Sequence, residues 1–236
     1  MTDLHTHILP GMDDGSRNVT MSIDMLLAEA EQGVDTVALT PHFYYDRERP
    51  RRFLERRRAA FEQLQQGIAL LPSDERSRLP ELLMGAEVAW TPGIAEIDSI
   101  LDLCYQDSRC IMLELPFYSW KADIFRQLSD FMNRTGLTPV IAHIDRYFGS
   151  QSVKSIEELC EFGLPMQMSA EAFSGFRSRN KAFHLMKRKN VRLIISDCHN
   201  LTDRKPNLGP AYKLIGKRLG DEAAEEFAYY SDTLLR

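Results

Sequence analysis

Cysteine is scarce in this 236-residue sequence: Cys104, Cys110, Cys160 and Cys198 are the only four, and none of them form a CxxC pair. This excludes a disulfide framework and a cysteine-based zinc module, and it points to a cytoplasmic chain with reduced thiols. Long hydrophobic runs are missing. None approaches the roughly 18 residues of a membrane span, so no direct membrane insertion is expected. A basic excess is missing as well. The formal net charge is −5, whereas a general nucleic-acid coat needs a basic surface, so no nucleic-acid partner is expected. Met1-Thr2-Asp3 runs straight into the first motif, leaving no room for a signal peptide. There is no linker, repeat or low-complexity tract. Residues 1–236 are therefore read as a single domain, long enough to bury a substantial core.

What the sequence does have is a strict alternation of short apolar runs and amphipathic stretches. Strands are expected at Thr2–His5, Thr36–Thr40, Leu82–Val88, Cys110–Leu115, Pro139–His143, Pro165–Ser169 and Val191–Ser196. Several are uninterrupted apolar runs, as in strands covered on both faces. Between them lie helical patterns: Met21–Gln32 capped by Thr20, Arg51–Leu70, Trp120–Arg134, Ser155–Phe162, Glu171–Lys189, Asn207–Leu219 and Asp221–Tyr230. Such alternation predicts an α/β fold with a parallel sheet. An open sheet is the alternative, but donors spread over six strands converge more easily in a closed (β/α) barrel.

Those donors are the informative part. Asp3-Leu4-His5-Thr6-His7 opens the chain and Ser196-Asp197-Cys198-His199-Asn200 lies near its end. Residues two apart on a strand share a face, so His5 can act with His7, and Asp197 with His199. Apolar runs also end at His42, Glu87 and His143. With Asp14 and Glu114, the set is His5, His7, Asp14, His42, Glu87, Glu114, His143, Asp197 and His199. Nine N/O donors exceed the four to six or so that one ion takes, and suit two or three ions sharing a carboxylate. A donor set without cysteine favours manganese, iron or zinc in catalytic use over a structural zinc. The alternative for any lone histidine is a hydrogen-bonded core residue, but that does not account for five histidines at matched strand ends. His184 sits within a helical pattern and is read as structural.

Asp-Leu-His-Thr-His, Asp13-Asp14-Gly15, Thr40-Pro41-His42, Gly85-Ala86-Glu87, Ala142-His143-Ile144-Asp145-Arg146-Tyr147 and Ser196-Asp197-Cys198-His199-Asn200-Leu201 together resemble the polymerase-and-histidinol-phosphatase (PHP) metal hydrolases. More narrowly, they resemble the bacterial manganese-dependent tyrosine-protein phosphatases of capsule and exopolysaccharide gene clusters. The resemblance spans nearly the whole chain. It implies a distorted seven-stranded (β/α) TIM-like barrel holding three divalent ions, most simply Mn2+, with Fe or Zn as alternatives. It also implies a partner, the phosphotyrosine tail of a bacterial tyrosine autokinase. By the same resemblance, His5, His7, Glu87 and Asp197 bind the first ion, Glu87 bridges to a second held by Glu114 and His143, and Asp14, His42 and His199 bind the third. Many relatives have histidine at the Asp14 and Glu114 positions, whereas the tyrosine-phosphatase branch has the acids. Asp14 is preferred to Asp13 on the resemblance alone; Asp13 could instead orient a ligand.

The expected chemistry is in-line attack on phosphorus by a water that the ions activate, without a phosphoenzyme. Arg146 and Arg204 match arginines of the family pattern and are expected to clamp phosphate; a structural ion pair is the alternative. Cys198 and Arg204 also spell C-x5-R, the cysteine-phosphatase signature. On a regular strand Cys198 faces away from Asp197 and His199, and the intervening residues lack glycine, so a cysteine mechanism is not expected. The arginine run from Arg47 to Arg58 is either a solvated helix face or a basic rim that attracts an acidic tail. Trp90, Phe117, Tyr118 and Trp120 either line an aryl pocket or pack in the core. The competing function is a histidinol-phosphate or other small-molecule phosphomonoesterase. A nuclease and a non-catalytic metal-binding regulator are more remote.

Overall fold

The computed structural model describes residues 1–91, 93–120, 123–188 and 190–235. Strands and helices alternate as expected. In chain order they are β1 (Thr2–Thr6), α1 (Val19–Ala30), β2 (Thr36–Leu39), β3 (His42–Phe43), α2 (Pro50–Ala69), α3 (Ser73–Arg76), β4 (Glu81–Met84), β5 (Glu87–Ala89), β6 (Cys110–Glu114), α4 (Asp123–Thr135), β7 (Thr138–Ile141), α5 (Val153–Phe162), β8 (Met166–Ser169), α6 (Phe176–Leu185), β9 (Val191–Ile195), α7 (Leu208–Leu219) and α8 (Asp221–Thr233). All strand pairings are parallel.

The strands form two sheets, ordered β1-β2-β4 and β3-β5-β6-β7-β8-β9, rather than one closed seven-stranded sheet. The division has a local cause. Thr40-Pro41 separates β2 from β3, and Gly85-Ala86 separates β4 from β5, so the expected single strand Leu82–Val88 is broken in two. Pro41 has no N–H to give to a ladder. Backbone bonds still cross the break, from Gly85 N–H to the Leu39 carbonyl (3.0 Å) and from Glu87 N–H to the Pro41 carbonyl (3.1 Å). At the other side, Asp197 N–H donates to the His5 carbonyl (3.0 Å) and His7 N–H to the Cys198 carbonyl (2.9 Å). The buried Asp3 carboxylate adds to this seam by accepting from the N–H groups of His5 and Ser196.

An inner cluster of Leu4, Ala38, Tyr105, Met112, Val140, Ala142, Leu193 and Ile195 fills the concave side of the strands. A larger cluster lies between the strands and the helices. The period of two carries the inner rows on to polar groups: Met112 leads to Glu114, and Leu193 and Ile195 lead to Asp197. β1 shifts register between Asp3 and Thr6, an irregularity of the kind that re-aims side chains beside functional sites.

Several helix boundaries differ from expectation. α1 is capped by Asn18, whose side chain accepts from Met21 N–H (3.0 Å), rather than by Thr20. The expected helix Glu171–Lys189 is a 3-10 turn, Ala170–Phe173, followed by α6. Ser174 bonds back to Glu171, and Gly175 is extended. Lys189 lies outside the described residues. Trp120 precedes α4, and the expected helix start crosses Lys121 and Ala122, which are also outside them.

Candidate metal centre

The nine expected donors come together at one rim of the sheets. His5 lies in β1 and His7 just past it. His42 opens β3 and Glu87 opens β5, where the two are register partners. Glu114 ends β6, His143 follows β7, and Asp197 and His199 follow β9. Asp14, in the loop after β1, sits at the rim with its side chain 64% exposed. Among the described residues only Asp107, His143 (φ 28°) and Asp197 (φ 53°) are non-glycines with positive φ. Each such residue costs about 1–3 kcal/mol, and two of the three are expected ligands.

The hydrogen bonds around the histidines fix which nitrogen is free. Tyr105 donates its hydroxyl to the Leu4 carbonyl (2.9 Å) and accepts from Gln167 Nε2 (2.9 Å). Gln167 Oε1 therefore faces His5 Nδ1 (2.9 Å), which must carry the proton. His7 Nδ1 faces Asp13 Oδ2 (2.8 Å), and His199 Nδ1 faces the Asp197 carbonyl (2.9 Å). With Nδ1 so engaged, each ring turns its Nε2 to the interior, where the neutral form offers a lone pair. His5 Nε2 and His7 Nε2 lie 3.2 Å apart. Glu87 Oε2 is 3.2 and 3.3 Å from them, and Asp197 Oδ1 is 3.6 and 3.4 Å away. Two imidazole nitrogens and two carboxylate oxygens thus converge on one point.

The rest of the cluster is continuous with these atoms. His143 Nε2 lies 2.8 Å from Glu87 Oε1 and 3.3 Å from Glu114 Oε1. His42 faces Glu87 Oε2 at 2.8 Å and Asp14 Oδ1 at 3.5 Å, and His199 Nε2 is 3.4 Å from Asp14 Oδ1. Donor atoms lie within 4.8 Å of one another in three overlapping groups: His7, Asp14, His42 and His199; His5, His7 and Glu87; and His42, Glu87 and Glu114. Among the described residues, buried His143 Nδ1 and His199 Nε2 have no hydrogen-bond partner, and Glu87 Oε2 and His42 Nδ1 face only each other and the histidines around them. Such a set costs free energy unless a cation completes it, and the donors suit a divalent metal.

The titration behaviour agrees. Burial works against charge on Asp197 and Glu87, yet the surrounding histidines hold both carboxyls well below the usual range, with Arg146 adding to the effect at Asp197. Burial likewise opposes protonation of His143, but hydrogen bonds to Glu114 and Glu87 push it up to about 9. His199 falls to about 3, through burial first and then the adjacent His7. The pocket thus keeps its carboxylates ionised and draws in positive charge, as protons or as metal.

Three residues position the ligands: Asp13, which the motif offered in that role, and Gln167 and Tyr105, which have no place in the motifs. Asp13 holds His7 and also accepts from the N–H groups of His42 (3.0 Å) and Gly15 (3.0 Å), so it orients ligands while Asp14 faces the cluster. Gln167, on β8, and Tyr105 fix His5. A polar residue inside the run Met166-Gln167-Met168 is the signal that could have found Gln167. Gly15 is required because a Cβ there would overlap the His7 carbonyl oxygen.

Arg146 and Arg204 also reach the site, and both end on Asp197. Arg146 Nη2 donates to Oδ2, and Arg204 Nη2 to Oδ1 (3.1 Å), with Arg204 Nη1 3.6 Å from Asp14 Oδ2. Their side chains are about one-third exposed. Cys198 faces away, fully buried, its Sγ 3.6 Å from Glu29 Oε1 on α1. His184 is exposed on α6, far from the cluster in the fold. A cavity of about 350 Å3, lined by Asp13, Asp14, His42, Tyr44, Arg47 and Arg56 among others, opens beside Asp14 and His42 of the first group of donors.

The family model for "Capsular polysaccharide synthesis, CpsB/CapC" matches residues 1–235. The chain belongs to the CpsB/CapC family. This family member is 29% identical over 242 residues to tyrosine-protein phosphatase CpsB of Streptococcus pneumoniae, covering 96% of this chain and 94% of that one. It is also 29% identical over 248 residues to tyrosine-protein phosphatase YwqE of Bacillus subtilis (strain 168), covering 100% and 92%. Among solved structures it superposes on a chain from the crystal structures of YwqE from B. subtilis and CpsB from S. pneumoniae, described as unique metal-dependent tyrosine phosphatases. The TM-score is 0.83 and the identity 25%, over 100% of this chain and 94% of the other. The lactonase Lmo2620 from Listeria monocytogenes shares the fold alone, with a TM-score of 0.52 at 12% identity over 95% of this chain and 88% of that one.

Proposed function

We propose that this chain is a metal-dependent protein-tyrosine phosphatase acting in capsule or exopolysaccharide synthesis, on the phosphotyrosine tail of a bacterial tyrosine autokinase in the cytoplasm. The observation that carries the reading is the convergence of the Nε2 atoms of His5 and His7 on Glu87 and Asp197, 3.2–3.6 Å apart. Its setting in a chain of the CpsB/CapC family supports the substrate. Among the described residues no helix is long and apolar enough to cross a membrane. We read residues 1–236 as one domain whose two sheets act together as a distorted barrel of seven strand positions.

In this reading His5, His7, Glu87 and Asp197 hold one ion, Glu87, Glu114 and His143 a second, and Asp14, His42 and His199 a third. Oxygen-rich donors favour manganese, with iron or zinc as alternatives. When bound, divalent ions neutralise the phosphoryl oxygens and activate the attacking water. The protein's own share is positional. Gln167 and Asp13 keep the Nε2 atoms of His5 and His7 turned inward. Arg146 and Arg204, which here share Asp197, turn their exposed guanidinium edges to the phosphate once that carboxylate is engaged elsewhere. Their planar forks match phosphoryl oxygens and stabilise the charge that develops there.

The test is hydrolysis of a phosphotyrosine peptide, histidinol phosphate and single-stranded DNA, measured side by side after chelation and after manganese reconstitution. We expect turnover of the phosphotyrosine peptide alone, abolished by chelation and restored by manganese. Preference for histidinol phosphate, or turnover that survives chelation, would overturn the assignment.

A further inference from the structure

Four aromatic side chains lie just beyond Glu87 and Glu114 in sequence, and the structure separates them. Trp90 packs edge-on against Phe131, ring centroids 5.7 Å apart. Trp120 is buried, its indole N–H donating to the Pro116 carbonyl (2.8 Å) and its ring set against Tyr147. Both belong to the core. Tyr118 is 72% exposed and Phe117 45% exposed. Only Phe117 of these four has a ring recorded against a candidate ligand: it lies 16° from parallel to His143, with centroids 6.0 Å apart.

Single exposed apolar residues are ordinary on protein surfaces, but this one is held in place. Leu115 N–H donates to the Tyr147 hydroxyl (2.8 Å), which ties down the chain before Phe117. Beyond it, Gln151 accepts from Trp120 N–H (2.9 Å) and donates to the Tyr118 carbonyl (2.9 Å). The Tyr147 ring then sits 5.4 Å from Phe117 and 5.8 Å from His143, bridging the two. Arg146 belongs to the same turn, its N–H donating to the His143 carbonyl (2.9 Å). A fixed, half-exposed phenyl ring therefore stands beside His143, next to the turn that carries Arg146 and Tyr147.

We propose that Phe117 is the specificity-determining residue for aryl phosphate monoesters: its exposed ring receives the aromatic ring of the substrate. The inference rests on the phosphatase reading above. In an aryl phosphate the ring begins one ester oxygen from phosphorus. A phosphoryl group at the donor cluster, against Arg146 and Arg204, thus brings its ring to the neighbourhood of Phe117. Offset or edge-to-face contact with a pre-positioned ring favours that ligand at little ordering cost. The alkyl ester of a phosphoserine offers no such face.

The test compares two non-hydrolysable ligands on the manganese-loaded protein by calorimetry: phenylphosphonate, which carries the ring, and methylphosphonate, which does not. Metal content is measured alongside. Phe117→Ala should weaken phenylphosphonate roughly tenfold while keeping the affinity for methylphosphonate and the metal content of the wild type, and Phe117→Tyr should restore phenylphosphonate binding. The KM for p-nitrophenyl phosphate should rise with the phenylphosphonate dissociation constant. Equal weakening of both ligands, or loss of metal, would make Phe117 a structural cover for His143 and overturn the proposal. So would unchanged phenylphosphonate binding. Failure of the wild type to hydrolyse any aryl phosphate with metal bound would remove the phosphatase reading itself.

Discussion

At the scale of single residues, Cys198 and Arg146 separate two chemistries that the sequence superimposes. Burial pushes the Cys198 thiol well above its ordinary value, and the neighbouring Glu29 and Asp3 carboxyls push it further. A thiol so placed stays protonated through the neutral range, and the thiolate is the nucleophile a cysteine phosphatase requires. Cys198→Ser should therefore keep most phosphotyrosine hydrolysis, and native-state alkylation of Cys198 should be negligible from pH 6 to 9. A dead serine variant with normal metal content would return the nucleophile to sulfur. Arg146 should matter in the opposite way. Arg146→Ala removes a positioned charge donor and should lower kcat/KM by the equivalent of about 2–4 kcal/mol. Its bound metal, measured per chain, should remain at the wild-type value. Normal kinetics would leave Arg146 as no more than an ion-pair partner of Asp197.

At the scale of elements, the arginine-rich helix α2 has more internal work than a basic rim would have. Arg57 donates to the Gly85 and Asp102 carbonyls, both at 2.7 Å, and burial lowers its guanidinium to about 10. Arg56 donates to the Met12 carbonyl (2.8 Å) and pairs with Glu48 (2.7 Å), tethering the loop that carries Asp13 and Asp14. Arg51, Arg52 and Arg58 make exposed ion pairs with Glu55, Glu48 and Glu62, worth little individually. Arg57→Ala should thus cost about 1–3 kcal/mol of stability in denaturant unfolding by leaving two carbonyls unpaired. No change in the midpoint would mean that water replaces the guanidinium without loss. These two structural arginines were not legible in the sequence, because a run of one charge reads as a solvated face until the carbonyls it meets are known. The break at Gly85 was hidden for a related reason: it lies inside the apolar stretch Leu82–Val88, whose pattern alone continues the strand, whereas the expected strand Thr36–Thr40 already stopped before Pro41. The order of elements was legible, since period-two and helical patterns alternate cleanly. So was the convergence of the nine donors, since a strand end names its own position in a parallel sheet. Gln167 and Tyr105 escaped because a residue that orients a ligand shows itself only through the partner it bonds; Asp13 was legible as such a residue only because it stands beside Asp14 in the motif.

At the scale of the whole molecule, the parallel strands bring donors from both ends of the sequence to one rim. The seam between β1 and the segment after β9 brings His5 and His7 to Asp197 and His199, and the kinked strands deliver His42 and Glu87. Glu87 is central, within 3.3 Å of four histidines. On the proposed assignment Glu87 serves two ions at once, so its loss should cost more metal than the loss of Asp14 at the rim. Metal content per chain, measured by elemental analysis after manganese reconstitution in the wild type and in Glu87→Ala, tests the centre most directly. The prediction is three ions per wild-type chain, and at most one in Glu87→Ala with phosphotyrosine turnover lost alongside. A wild type that hydrolyses phosphotyrosine with no bound metal, or a Glu87→Ala chain with full metal content and full turnover, would contradict it.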